Sequence, residues 1–175
     1  MDIKTKLLST AESLFDRHGF NATGMDRLTN AAEMSSRTLY KHASSKNSLI
    51  AQVLKERDSR FLRRLEVHSI NALFDALEDW MRVESCRGCL FLRAYGETGG
   101  DTSEIAEVVL AHKDGLREKI QEIVRTETGG VDDRALAEQI LILFEGATAV
   151  AVYRGAGVVA TARDAAVALL EKARS

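Results

Sequence analysis

The sequence predicts an all-α fold, and three observations carry that prediction. None of the 175 residues is proline, the residue that interrupts helix interiors. Apolar side chains recur at three- and four-residue spacing along most of the chain. No stretch sustains the two-residue alternation of a half-buried strand.

The first helix is expected from about Asp2 to His18, where Ile3, Leu7, Ala11, Leu14 and Phe15 fall on one face and Gly19 supplies a left-handed stop. Thr23-Gly-Met-Asp26 resembles a capping box. In that arrangement the Thr23 hydroxyl would accept an orphan amide while Asp26 reached back, opening a short second helix to about Ala32. Glu33-Met34 then makes a turn, and Ser35 caps a third helix over Ser36–His42. Ala43-Ser-Ser45 breaks the chain again before a long helix from about Lys46 to Glu66, with Leu49, Ile50, Val53, Leu54, Phe61 and Leu65 on its inner side.

Further helices are expected at about 70–84, 89–97, 102–127, 132–154 and 160–174, separated by glycine-containing turns such as GETGGD and ETGGV. Within Ile140–Tyr153 only Glu145 is charged, and Gly146, Ala147, Ala149 and Ala151 are small. A helix apolar nearly all round has one face too many for a small domain. The alanine-rich final helix also permits close approach. Self-association through these last two helices is therefore expected.

Composition narrows the function. Hydrophobic residues make up 45% and charged residues 29%, the balance of a globular chain rather than a disordered one. The N-terminus, MDIKTKLLST, has no apolar secretion core and reads as helix, so a cytoplasmic protein without a membrane partner is expected. The net charge of −2 conceals a division. Residues 1–65 hold 12 Lys and Arg against 7 Asp and Glu, a net +5, whereas residues 66–175 hold 12 against 19, a net −7. A positive front on a negative body suits a molecule that meets phosphate at one end.

The two short helices near that front form a candidate helix-turn-helix, whose second helix would enter the major groove of DNA. Leu39 and Met34 face inward toward Leu28 and Ala32, which turns Ser36, Arg37, Thr38 and Lys41 outward. Arg37 can donate twice to a guanine edge, and Thr38 can meet a base or a thymine methyl. Tyr40 and His42 are placed to donate to phosphate oxygens. Lys46 adds an ammonium and the first amides of the following helix, and Thr23 is a further phosphate candidate. With the capping Ser35, these residues make up the expected DNA-binding set.

The run from Leu14 to Leu54 (LFDRHGF, ATGMDRLTNAA, SSRTLYKHASSKNSLIAQVL) resembles the TetR-type transcriptional regulators, most tellingly at Thr38-Leu39-Tyr40, His42, Ser45-Lys46 and Leu49. The resemblance implies a DNA-binding head over residues 1–46 and, over residues 47–175, a helical body that binds a small effector and forms a homodimer. It also implies a repressor released from its operator by that effector. Two positions depart from the pattern. Glu33 stands where the family has glycine, and Ala43 where an aromatic is usual.

The implied effector pocket has candidate walls in Phe61, Phe74, Trp80, Phe91, Tyr95 and Phe144, with His112 as a polar contact. Such a pocket would be mostly apolar and would take a small, partly hydrophobic molecule. Cys86 and Cys89 form C-R-G-C, too few ligands for structural zinc. The reading that competes with an effector-responsive regulator is therefore a thiol-based redox or electrophile sensor using these two residues. A helical small-molecule enzyme has less support. The four histidines, His18, His42, His68 and His112, are scattered, so no catalytic residue, metal site or cofactor is expected.

Overall fold

The computed structural model describes residues 2–175, with nine α-helices and no strand among them. They are α1 (Ile3–His18), α2 (Met25–Ala32), α3 (Ser36–His42), α4 (Lys46–Arg64), α5 (Ile70–Val83), α6 (Leu90–Glu97), α7 (Ser103–Glu127), α8 (Arg134–Arg154) and α9 (Val158–Arg174). The expected all-α architecture is what the chain adopts. The chain falls into two compact units, one of Met1–Ser59 with Leu90–His112, the other of Arg60–Cys89 with Lys113–Ser175. Two of the boundaries lie within α4 and α7 and the third at the start of α6, so the units follow packing and not the order of the chain.

In the first unit the apolar faces of α1 to α4 close on Leu7, Ala11, Phe15, Leu28, Leu39, Leu49 and Val53, all 1% exposed or less. Phe15 and Phe20 stack with ring centroids 4.8 Å apart. Each such ring contributes about 1.5–3 kcal/mol by leaving water. Arg57 of α4 donates to Glu12 of α1 at 2.6 Å, and the two side chains are only 6% and 12% exposed. A buried charge needs its partner, so this pair also fixes the register of the two helices.

The start of α2 departs from expectation. Its N-cap is Gly24, without a side-chain capping bond. Thr23 is fully buried, and its hydroxyl donates to the Gly19 carbonyl at 2.7 Å. No capping box forms, because the hydroxyl serves the α1–α2 turn. α6 holds the same turn from a distance in sequence. Arg93 donates to the carbonyls of Asp16 and Phe15 at 3.0 and 3.3 Å in the last turn of α1, where the Phe15 carbonyl also accepts the Gly19 amide at 2.8 Å. Glu97 accepts the Asn21 amide at 2.7 Å.

In the second unit α8 packs along α9, and α9 along α5. Phe61, Trp80, Phe74 and Phe144 gather at the centre, with centroids 5.2 Å apart for Phe61–Trp80 and 5.9 Å for Phe74–Phe144. Glu127, at the end of α7, accepts the Ile70 amide at the start of α5 at 2.6 Å and a bond from Arg174 at 3.2 Å, tying three helix ends together. α8 is long and apolar enough to cross a membrane by length and composition, yet only a third of that stretch, 33%, is buried. Its inner face is Leu136, Ile140, Phe144, Ala147 and Ala151. Ile142, Val152 and Tyr153 stand 63%, 53% and 74% exposed on the rest of its surface.

Candidate nucleic-acid interface

The reading segment is built by two turns and a cap. α2 ends at Glu33, which takes the left-handed conformation at φ 52° and donates its amide back to Asn30 and Thr29. A side chain with a Cβ is strained there, which is why glycine is the ordinary choice. The Glu33 carboxylate accepts from Lys6 of α1 at 2.8 Å. That hydrogen bond, and the charge of Lys6, hold its pKa below the ordinary carboxylate value.

Ser35 then caps α3 by accepting the Thr38 amide at 3.1 Å, and the Ser35 and Thr38 hydroxyls share a bond of 2.9 Å. The N-terminal edge of α3 is thereby stiffened. Leu39, fully buried, anchors the helix and sets its rotation. Ser36, Arg37, Tyr40 and Lys41 are exposed as a result, while Thr38 and His42 are half-buried.

The far end is held as firmly. The Ala43 amide closes α3 on the Leu39 carbonyl at 2.9 Å, and Ala43 itself is buried. Gln52 of α4 donates to the His42 carbonyl at 3.2 Å. Ser45 caps α4 by accepting the Ser48 amide at 3.0 Å, which sets half-buried Lys46 in the first helical turn. The first amides of a helix lack in-helix partners and carry positive partial charge, so Lys46 sits where an anion is favoured.

Most of the expected DNA-binding set therefore shares one stretch, α3 and the first turn of α4. Thr23 stands apart from it as an enclosed residue of the α1–α2 turn. The caps Ser35 and Ser45 fix the starts of α3 and α4.

The expected effector set is less unified. Phe61, Phe74, Trp80 and Phe144 lie together in the second unit, 7% exposed or less. Phe91 and His112 belong to the first, where their rings stack at 3.6 Å, and His112 Nδ1 lies 2.7 Å from Asp58 Oδ1. Tyr95, on α6, is exposed and packs beside Gly100. Sequence reasoning missed Asp58, Arg93 and Glu97. Their partners are 54 or more residues away, so no local spacing could have found them. Among the described residues no group of His, Cys, Asp or Glu is arranged to hold a metal ion.

Comparison with known proteins agrees with this geometry. Residues 7–53 match the family described as bacterial regulatory proteins, tetR family. The HTH-type transcriptional regulator QacR of Staphylococcus aureus is 33% identical over 61 residues, 35% of this chain and 32% of QacR. The chain thus matches about a third of the length of that relative. A TetR-family transcriptional regulator from Streptomyces coelicolor has a solved structure with a TM-score of 0.89 and 25% identity, covering 99% of this chain and 96% of its own. A second TetR-type regulator, from Streptomyces avermitilis, has a TM-score of 0.82 at 25% identity, covering 99% and 98%. These relatives are transcriptional regulators, not enzymes. The head, over residues 7–53, thus matches the tetR-family model, and the full helical architecture is similar to that of solved TetR-family regulators.

Proposed function

We propose that the chain is a dimeric, ligand-responsive transcriptional repressor of the cytoplasm, with residues 1–46 reading an operator and residues 47–175 binding an effector and pairing two copies. The observation that carries this reading is α3 itself. It is a short helix, capped at its start and closed at its end, that buries Leu39 and turns Arg37, Tyr40 and Lys41 outward.

On this reading Arg37 donates to a guanine edge, and Ser36, Thr38 and Lys41 approach neighbouring bases or sugar-phosphate. Tyr40, His42 and Lys46 grip phosphate on either side. Thr23 contributes through the turn that it fixes.

Pairing of two copies through α8 and α9 is supported by the exposed apolar side chains of α8. It is supported as well by a groove of about 460 Å³ whose walls include Gly146, Val150, Tyr153, Thr161 and Ala165. Two heads would then meet DNA about one helical turn apart, roughly 34–36 Å, or at a multiple of that. The effector, a small and partly hydrophobic molecule, enters the body at the aromatic cluster of Phe61, Phe74, Trp80 and Phe144. Binding one state of the body better than the other, it shifts the population away from the DNA-competent form.

Selection of bound duplexes from a random pool, followed by sequencing, tests the reading. A recovered site with two-fold symmetry and half-sites one turn apart is the expected result. Recovery of no preferred duplex by a dimeric protein would remove it.

A further inference from the structure

The segment between α5 and α6 carries two half-buried thiols, Cys86 and Cys89, neither of them in a disulfide. The Lys113 ammonium lies 3.4 Å from Cys89 Sγ and is itself held by Glu145 of α8 at 2.5 Å. An ammonium has three donors, so the bond to Glu145 orients the group without exhausting it. Cys86 packs against the apolar core of the second unit, and its thiol donates weakly to the Met81 carbonyl at 3.8 Å. Between the two thiols the chain bends, and Gly88 takes φ +83°, a conformation that side chains rarely adopt.

The thiolate is the nucleophilic form of cysteine, and a cation within hydrogen-bond reach stabilises negative charge on sulfur. A structural cysteine lies instead among apolar neighbours and is inert. Cys89 has the cation, and its loop brings a second thiol after only two intervening residues.

We propose that Cys89 and Cys86 form a modification site for hydroperoxides. Cys89 is the attacking sulfur, Lys113 holds it ionised, and Cys86 resolves the product. The Cys89 thiolate attacks the terminal oxygen of the hydroperoxide. A sulfur–oxygen bond forms, the oxygen–oxygen bond breaks, and the departing alkoxide takes a proton to leave as an alcohol, or as water from hydrogen peroxide. Cys86 then attacks the sulfenic sulfur. A sulfur–sulfur bond forms, the sulfur–oxygen bond breaks, and the hydroxyl leaves as water with the Cys86 proton. Two thiols are oxidised to a disulfide and one hydroperoxide is reduced.

The test treats the full chain with stoichiometric hydrogen peroxide and reads the products by mass spectrometry without reductant. Trypsin cuts after Arg87, between the two cysteines, so the disulfide is read as two joined peptides that dithiothreitol separates. Cys86→Ser is expected to stop at a sulfenic acid on Cys89, trapped by dimedone. Lys113→Met is expected to slow Cys89 oxidation on the order of tenfold, the change in thiolate fraction that accompanies one pKa unit. Lys113→Arg should restore most of the rate, and circular dichroism checks that each variant is folded. Should Lys113→Met fail to fold, the ratio of Cys89 to Cys86 alkylation in the unmodified chain serves instead. A ratio near one, no joined peptides, or an unchanged rate in folded Lys113→Met would each overturn the proposal. The readout is thiol chemistry alone, so a chain that bound no DNA would leave it standing.

Discussion

Arg37 and Lys46 sit a few residues apart, yet replacing them should have different consequences. Arg37 is exposed on α3, where only its guanidinium offers paired donors to a base edge. Arg37→Ala should relax preference at one base position, at a cost of about 1–3 kcal/mol, as read by competition among duplexes differing at that position. Lys46 acts as a charge at a helix start. Lys46→Ala should weaken binding to every sequence and reduce the slope of log affinity against log salt by about one unit. If both variants lost only sequence-independent affinity, Arg37 would belong to phosphate. Glu33 works in the opposite sense. Its carboxylate stands in the turn before α3, tied to Lys6. Because its folded pKa is depressed, that tie is fully present above the ordinary carboxylate value and is lost as pH falls through the lowered one. Glu33→Gly should relieve the left-handed backbone and remove a negative charge near DNA. Affinity for all duplexes should rise with base preference unchanged, as read by titration in fluorescence anisotropy, and a fall would overturn this reading of Glu33.

Between helices, the decisive contact in the first unit is Arg57–Glu12, an ion pair almost closed to water. Removing one partner strands the other, so Arg57→Ala should cost about 3–5 kcal/mol in urea denaturation, and the double variant Arg57→Met with Glu12→Leu clearly less. Elements of this kind differ in how far sequence discloses them. The helices were legible because periodicity, glycine stops and serine caps are local. Ser35 caps α3 where its spacing placed it, and the helices of the body fall within a residue or two of their expected ends. The start of α2 was not legible. Thr23 has the right spacing for a capping box, but its hydroxyl turns back to the Gly19 carbonyl, and nothing local separates the two outcomes. The clasp of Arg93 and Glu97 on the end of α1 was equally hidden, since it joins residues 76 or more positions apart. For the same reason the seven expected effector residues could be named as aromatic or polar, but not sorted between two units. The arrangement of α3 and the turn after it was the most legible part, because both lie within one short run.

At the scale of the molecule, the outer surface of α8 is the feature on which the proposed pairing rests. Ile142, Val152 and Tyr153 are more than half exposed on a helix with few charges. Exposed apolar side chains on this helix are what the proposed pairing would cover. The double variant Ile142→Glu with Tyr153→Glu should sediment as a folded monomer in analytical ultracentrifugation. Its operator affinity should fall by far more than either head variant alone produces, because two linked half-sites become two separate weak ones. A variant that stayed dimeric would place the interface elsewhere.

This exposed stripe has a further consequence for dosage. If copies pair as proposed, then wherever they are scarce enough for pairs to come apart, occupancy of a promoter would follow the square of the number of chains and not the number itself. Modest changes in synthesis or proteolysis would then throw the regulated genes sharply from one level of expression to another, with no change in any contact to DNA.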